Sequence, residues 1–520
     1  MTATPPDGAR ASRLLGALVR ARPAPQRYRT ATIAGVCMAL PMALAFAAHR
    51  PALGAIGGLG SLAALYGRPS PPARDARAVA VATLGLSAGF LFCATASQGR
   101  PWPAVLVTAV WATVVTVVCG AFAARPPGLV MPVLVGAVAT ALPPRNPLPF
   151  AAAVAATGLL ATLLIWTSAA LRDLRSGSRR RGRRSWRPST LRCPAWHPYG
   201  RTLVWAGLRT GAGVALGGVL ALAIGAPHPF WAMAAAAAVL SAGNHASSVN
   251  ERALLRGTGT LAGCLVAGSV LALHPGHAAT VLLLAFFAFF TESVAARNYA
   301  LAMISVTPMG ILLAAVASPA TVAPWTLTGD RLLQTVLGCT GAVVAGQLVT
   351  AHWVVEQRLQ AVRAVLVAAA DVLERSEAGA GNRKADVLIS RLGHLRLVSE
   401  RAAGERRAVR GGTAELNAVV RHTTEVADEV LRRYGTAEAS DHVYAKALRD
   451  LAALLGAADA EAARGGLTIQ YPEVPSELAD LKSSVQEWIF TRAVGMQKRH
   501  TGAQTRSYAG DGMETPGPHT

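Results

Sequence analysis

Apolar runs of roughly 17 to 23 residues alternate with short polar breaks from about residue 30 to about residue 352, and a helix needs about 20 residues to cross some 30 Å of hydrocarbon. The pattern predicts spans over 30–48, 51–67, 78–97, 102–123, 128–143, 148–170, 206–224, 229–246, 257–273, 278–291, 299–316 and 332–350. After His352 the pattern changes. Val355, Leu359, Val362, Leu366 and Leu373, then Leu416, Val420, Thr423, Val426 and Val430, recur at helical spacing among charged residues, the signature of helices that bury one face. Helices are expected near 353–377, 384–402, 412–434, 441–463 and 476–493, punctuated by Gly379 and Gly381, Gly411 and Gly412, and Gly465 and Gly466.

The first six spans are echoed by the second six roughly 172 to 180 positions later. Arg29-Thr30 recurs as Arg209-Thr210, Arg77 with Ala88-Gly89 as Arg256 with Ala267-Gly268, and Ala123-Ala124-Arg125 as Ala295-Ala296-Arg297. The expected fold is all-α: a polytopic membrane protein with two repeated six-helix transmembrane halves, 30–170 and 203–352, and a C-terminal cytoplasmic helical domain, 353–495. Residues 1–29 form a basic N-terminal arm, 171–202 a basic linker and 496–520 a disordered tail. Paired six-helix halves suit alternating access, because the seam between two similar bundles opens to either side in turn.

Composition agrees: 52% of the residues are hydrophobic and 15% charged, too apolar for an ordinary soluble enzyme. The formal charge of +22 invites a nucleic-acid reading, and the positions of the arginines argue against it. Arg68, Arg74, Arg77, Arg125, Arg252, Arg256, Arg297 and the run from Arg172 to Arg201 fall in loops on one side of a twelve-span count; the other side shows Arg50, Arg100, Arg145 and Arg331. The arginine-rich side is assigned to the cytoplasm, with both termini, in a cell (plasma) membrane. Arg179 to Arg184 then faces anionic headgroups, and no nucleic-acid partner is needed. The first thirty residues lack the early apolar core of a cleavable signal. Cys37, Cys93, Cys119, Cys264 and Cys339 fall in spans and Cys193 in the linker, without CxxC spacing, so neither disulfides nor a metal site is expected.

Candidate chemistry is sparse. Pro41, Pro132 and Pro308 stand inside spans, and proline frees a carbonyl that must be satisfied within the bilayer. Pro132 and Pro308 fall in corresponding helices and are helix-break candidates along a substrate path, or kinks packed against neighbours. Gly213 with Gly217, and Gly259 with Gly263, allow close helix approach. Among Asp75, Glu251, Glu292 and Asp330, Glu292 follows the aromatic segment Phe286 to Phe290. A partly desolvated carboxylate there suits proton coupling; a loop glutamate paired with Arg297 is the alternative. Arg29, Arg77, Arg209, Arg256 and Arg297 are topological anchors or, if the substrate is a carboxylate, inner-mouth groups that capture it. No GxxxxGK[ST], HExxH or GxSxG motif occurs, so no catalytic residue, cofactor or direct ATP use is assigned.

Arg209-Thr210, His228-Pro229-Phe230-Trp231-Ala232, the segment Arg252 to Gly263 (RALLRGTGTLAG), Glu292, and Arg297-Asn298-Tyr299 to Ala302 resemble the fusaric acid resistance, or aromatic acid exporter, family. The resemblance covers about 205–350, and the first half lacks the HPFWA-like segment. It implies six-helix membrane blocks with helical cytoplasmic domains and efflux of aromatic carboxylates. The expected function is a proton-motive exporter of small organic, aromatic anions and not an enzyme. A passive anion channel of the same architecture and a non-transporting scaffold that docks a partner through residues 353–520 are the alternatives. The expected partners are the organic anion and the lipid bilayer, with a homo-oligomer or a cytoplasmic protein partner left open.

Overall fold

The computed structural model describes residues 28–491 except 68–71, 123–127, 143–145, 176–195, 242–245, 296, 318–322, 375–380, 404–412, 435–441 and 463–470. The described residues are helical, without a strand among them, and divide into two compact units between Val349 and Thr350.

The first unit is built from α1 (Tyr28–Ala47), α2 (Pro51–Gly57) running into a 3-10 helix (Gly58–Tyr66), α3 (Pro72–Ser97), α4 (Pro101–Ala121), α5 (Val130–Ala139) and α6 (Leu148–Arg175). It continues with α7 (Trp196–Ala223), α8 (Phe230–Leu240), α9 (Ala246–Ala272), α10 (His277–Val294), α11 (Tyr299–Ala317) and the first part of α12 (Pro324–Leu373). Eight helices, α1, α3, α4, α6, α7, α9, α10 and α11, are long and apolar enough to cross a membrane. Their outward faces carry exposed leucines such as Leu84, Leu106, Leu163, Leu265 and Leu282. Such a surface is costly in water and suited to lipid.

Three expected spans are shorter than the apolar pattern implies. The segment at 51–67 is a seven-residue α-helix followed by a nine-residue 3-10 helix, whereas α5 and α8 have 10 and 11 residues. Ten helical residues cover about 15 Å, half the hydrocarbon thickness. Every residue of α8 is buried, so its uniformly apolar sequence reflects a core surrounded by other helices rather than by lipid. Periodicity and composition cannot separate those two surroundings.

Helices pair reciprocally between the two sequence halves. The helix α1 packs on α10, and α7 packs on α4; likewise α2 packs on α11, and α8 on α5. One apolar core therefore mixes Cys37, Met38 and Leu62 with Leu284, Phe287 and Leu312. Close approach of α9 to α11 is made possible by Gly259 and Gly263, where an added Cβ would lie 2.5 Å from the Ala300 carbonyl oxygen and 2.7 Å from the Thr307 Cβ.

The second unit holds the remainder of α12, then α13 (Gly381–Ala403), α14 (Thr413–Tyr434), α15 (His442–Ala462), a 3-10 turn (Ser476–Leu478) and α16 (479–491). Leu366, Leu388, Leu395, Leu416, Leu448 and Trp488 form its core. Arg449 ties α15 to α12, donating to Asp371 at 2.7 Å and forking onto both Glu374 oxygens. The sequence pattern places a break between a last span and a first cytoplasmic helix near 350–353; α12 instead runs through as one 50-residue helix, because no glycine or proline interrupts it from Gln347 to Leu373.

Candidate functional site: an arginine-lined cavity

A cavity of about 1360 Å³ lies within the first unit, lined by residues from α1, α2 and the 3-10 helix after it, and from α4 through α12. Most of its wall is apolar, and its charged lining consists of Arg252, Arg256, Glu292 and Arg331, with His228 at its edge loop.

Arg252 and Arg256 stand one turn apart on α9 and so share one face of it. Asn298 caps the start of α11, its Oδ1 accepting from the Ala300 and Leu301 amides at 2.8 and 3.3 Å. The cap fixes Tyr299 as the first helical residue, where its ring meets α9. Arg256 Nη1 donates to the Tyr299 hydroxyl at 2.8 Å and contacts Met303 Sδ at 3.4 Å. The Arg252 guanidinium lies 3.6 Å from the Tyr299 ring centroid, a cation–π contact. From α12, Arg331 approaches Trp231 of α8, 5.0 Å from its ring centroid.

Arg256 and Arg331 are each 4% exposed. Their Nε atoms, Arg331 Nη1 and Arg252 Nε are buried without a hydrogen-bond partner among the described residues. Unpaired guanidinium donors in an apolar surrounding are expensive unless an acceptor arrives. The arrangement is thus suited to receive an anion, with Glu292, 3% exposed, on the same cavity wall.

Of the five arginines singled out in the sequence, Arg256 lines the cavity and the other described ones do not. Arg29 bonds Ser168 Oγ at 2.8 Å and the Ile165 carbonyl at 2.5 Å and pairs with Asp75 at 3.7 Å, locking α1 to α6 and α3. Arg209 is buried and reaches the Leu240 carbonyl at the end of α8 at 3.5 Å, where a cation complements the helix terminus. Arg77 is exposed and Arg297 half-buried. Arg125 lies outside the described residues.

Glu292 is inside α10 rather than in the loop after it. Pro308 does sit within α11. Pro132 is in the first turn of α5, where a missing amide costs little, so it is no mid-helix break; its carbonyl accepts from Trp111 Nε1 at 3.0 Å.

The sequence pattern placed Arg252, Arg256 and Arg331 in loops on opposite sides, but all three are helical. For Arg331 the missed signal is Pro324, a proline at the first position of a helix, which starts α12 eight residues before the expected 332. A lone tyrosine at a span boundary has the pattern of an interfacial anchor, so the sequence pattern by itself gives Tyr299 no part in the arginine site.

Residues 211–345, from within α7 to within α12, match the family described as "Fusaric acid resistance protein-like". This segment belongs to that family. It contains Trp231, Arg252, Arg256, Glu292, Tyr299 and Arg331, so the charged part of the cavity lies wholly within the fusaric acid resistance protein-like segment. Together with the eight long apolar helices, the family makes the chain a multi-pass membrane protein of the transporter type. No curated protein and no solved structure matches it. Among the described residues no cluster of three or more His, Cys, Asp or Glu is placed to hold a metal ion.

Proposed function

We propose that this protein exports small organic anions, aromatic carboxylates foremost, using the proton motive force. Its membrane is the cell membrane and its termini face the cytoplasm, as the arginine distribution favours. One observation carries the reading: four buried guanidinium nitrogens, on Arg252, Arg256 and Arg331, have no acceptor among the described residues, and these three residues line one cavity. A carboxylate offers two oxygens with about four acceptor sites, which matches them. The reciprocal pairing of α1 with α10 and α7 with α4 fits two duplicated halves meeting at a seam, the arrangement that alternating access uses.

Glu292 is the proposed proton carrier, since its carboxylate shares the cavity wall with the arginines. Protonation there would accompany a change in how tightly the anion is held, through the charge the anion meets.

Efflux of labelled 4-hydroxybenzoate into inverted vesicles, with and without an uncoupler, tests the reading. Concentrative, uncoupler-sensitive uptake that Glu292→Gln abolishes supports it. Downhill flux indifferent to uncoupler and to Glu292→Gln converts the protein to a passive channel, a rival that the cavity's extent along α11 favours. Absence of flux for benzoate, 4-hydroxybenzoate and malate refutes transport of this class and favours a scaffold that docks a partner through residues 353–520.

A further inference from the structure

The nine-residue 3-10 helix Gly58–Tyr66 has no part in the arginine site and is long for its kind. Its hydrogen-bond geometry is poorer than that of an α-helix, and runs beyond three or four residues are uncommon, often marking a hinge or a strained segment. Its sequence repeats every third residue. Leu59, Leu62 and Leu65 match the turn of this helix and so stand in one column, and all three line the cavity. The other two columns hold small residues, Gly57, Gly60 and Ala63 in one, Gly58, Ser61 and Ala64 in the other. Gly60 faces α6, where an added Cβ would stand 2.2 Å from the Val154 carbonyl oxygen, and Gly58 faces Met38 of α1.

The same stretch also carries an α-helical pattern. Gly60, Ala64 and Gly67 are spaced four and three apart, which is one face of an α-helix, and a Cβ at Gly67 would already meet Ile165 of α6. Small residues therefore make the contact with α6 in either form. Passing from a rise of about 2.0 Å to about 1.5 Å per residue shortens nine residues by about 4.5 Å. Passing from about 120° to about 100° per residue turns Leu65 by about 120° relative to Leu59, and brings Ala63 and Tyr66 onto the wall beside Leu59. The α-helical form has a precedent in this chain: α8, which packs on α5 as α2 packs on α11, is α-helical throughout. The longer form has a tether, because the Tyr66 hydroxyl donates to the Gly128 carbonyl at 2.5 Å.

We propose that Gly58–Tyr66 is a gate in the cavity wall. It exchanges between this 3-10 helix, whose leucine column narrows the cavity, and a shorter α-helix in which Leu65 leaves the wall and Ala63 displaces Leu62. The Tyr66 to Gly128 bond holds the narrow form. The inference rests on the cavity being the transport path.

The test uses the full chain in proteoliposomes, with Ala63→Cys or Leu65→Cys, each with and without Tyr66→Phe. The native cysteines stay in place, and reaction with a water-soluble methanethiosulfonate is located by peptide mass spectrometry. Leu65→Cys is expected to react faster than Ala63→Cys while Tyr66 is present. Tyr66→Phe, which keeps the ring and removes the tether, is expected to lower that rate ratio about fivefold, the worth of one hydrogen bond. Downhill efflux of 4-hydroxybenzoate is expected to rise in Tyr66→Phe, and also in Leu62→Ala, which thins the column directly.

A rate ratio that Tyr66→Phe leaves unmoved, or Ala63→Cys the faster in both backgrounds, means one fixed helix and overturns the gate. A ratio that moves while efflux stays at the wild-type rate makes the motion idle and overturns it as well. Absence of efflux from every protein, Leu62→Ala included, overturns transport through this cavity. The labelling ratio is read without flux, so it judges the helix exchange separately.

Discussion

Arg256 donates to the Tyr299 hydroxyl at 2.8 Å, and this bond joins the two helices whose glycine-mediated contact is among the closest in the membrane unit. The phenol occupies one donor of a guanidinium whose Nε has no partner. Tyr299 thus orients Arg256 without neutralising it, and the charge remains available to the cavity.

Tyr299→Phe keeps the ring beneath Arg252 and removes the acceptor of Arg256. A neutral acceptor for a charged donor contributes about 1.5–3 kcal/mol, part of which returns when the anion itself takes the freed donor. Benzoate affinity is expected to fall about threefold to tenfold, and Tyr299→Ala, which also removes the cation–π contact, is expected to lose more. Equal affinity of wild type and both variants in calorimetry would deny Tyr299 a positioning role.

Arg331 holds two buried donors without partners among the described residues, Nε and Nη1. A buried charge whose donors lack partners carries a desolvation cost that an apolar side chain of similar length does not. Arg331→Met is expected to abolish anion binding while raising the ligand-free melting temperature in nanodiscs. A lower melting temperature would mean that Arg331 serves the fold rather than a ligand.

Gly263 faces the Thr307 Cβ and the Met303 and Ile304 carbonyls at 2.7 to 3.1 Å from where a Cβ would stand. Backbone atoms cannot yield there as a side-chain tip can. Gly263→Val is expected to destabilise the membrane unit by about 1–3 kcal/mol, whereas Gly257→Ala, with nothing within 4 Å of the added carbon, is expected to be tolerated. Thermal scans of the two variants side by side check this.

In the second unit, hydrogen bonds from Arg449 hold the Glu374 carboxyl below the usual carboxylate range. A depressed folded-state value means that the pair stabilises fully above the ordinary glutamate value of about 4.3. That contribution is lost as pH falls through the lowered value. Both partners are partly exposed, so the effect is small. Protection of α15 amides in hydrogen exchange, corrected for intrinsic rates, is expected to decline on acidification below about pH 4, and Glu374→Gln to remove part of that decline. An identical pH profile in Glu374→Gln would count against the linkage.

Much of the helical layout was legible because bilayer-crossing length and soluble amphipathicity leave different periods in a chain. The sequence pattern anticipated α1, α4, α10 and α11 to within a few residues. It failed where a short apolar segment is wrapped by protein instead of lipid, as in α5 and α8, since both surroundings select the same residues. It also failed for the arginines. Counting them as loop markers places Arg331 and Arg256 on opposite sides of the membrane, yet long helices carry both into one cavity. Charge within a span contradicts the hydropathy rule, and functional sites are where such rules break.

The most direct measurement is a nanodisc structure of the full chain determined with 4-iodobenzoate, whose heavy atom marks the ligand. Density for the carboxylate within hydrogen-bonding distance of Arg256 and Arg331, with the iodine pointing along α11 towards Gly310, is the predicted result. An unchanged, empty arginine cluster at a concentration that saturates transport, or iodine density elsewhere in the bundle, would contradict it.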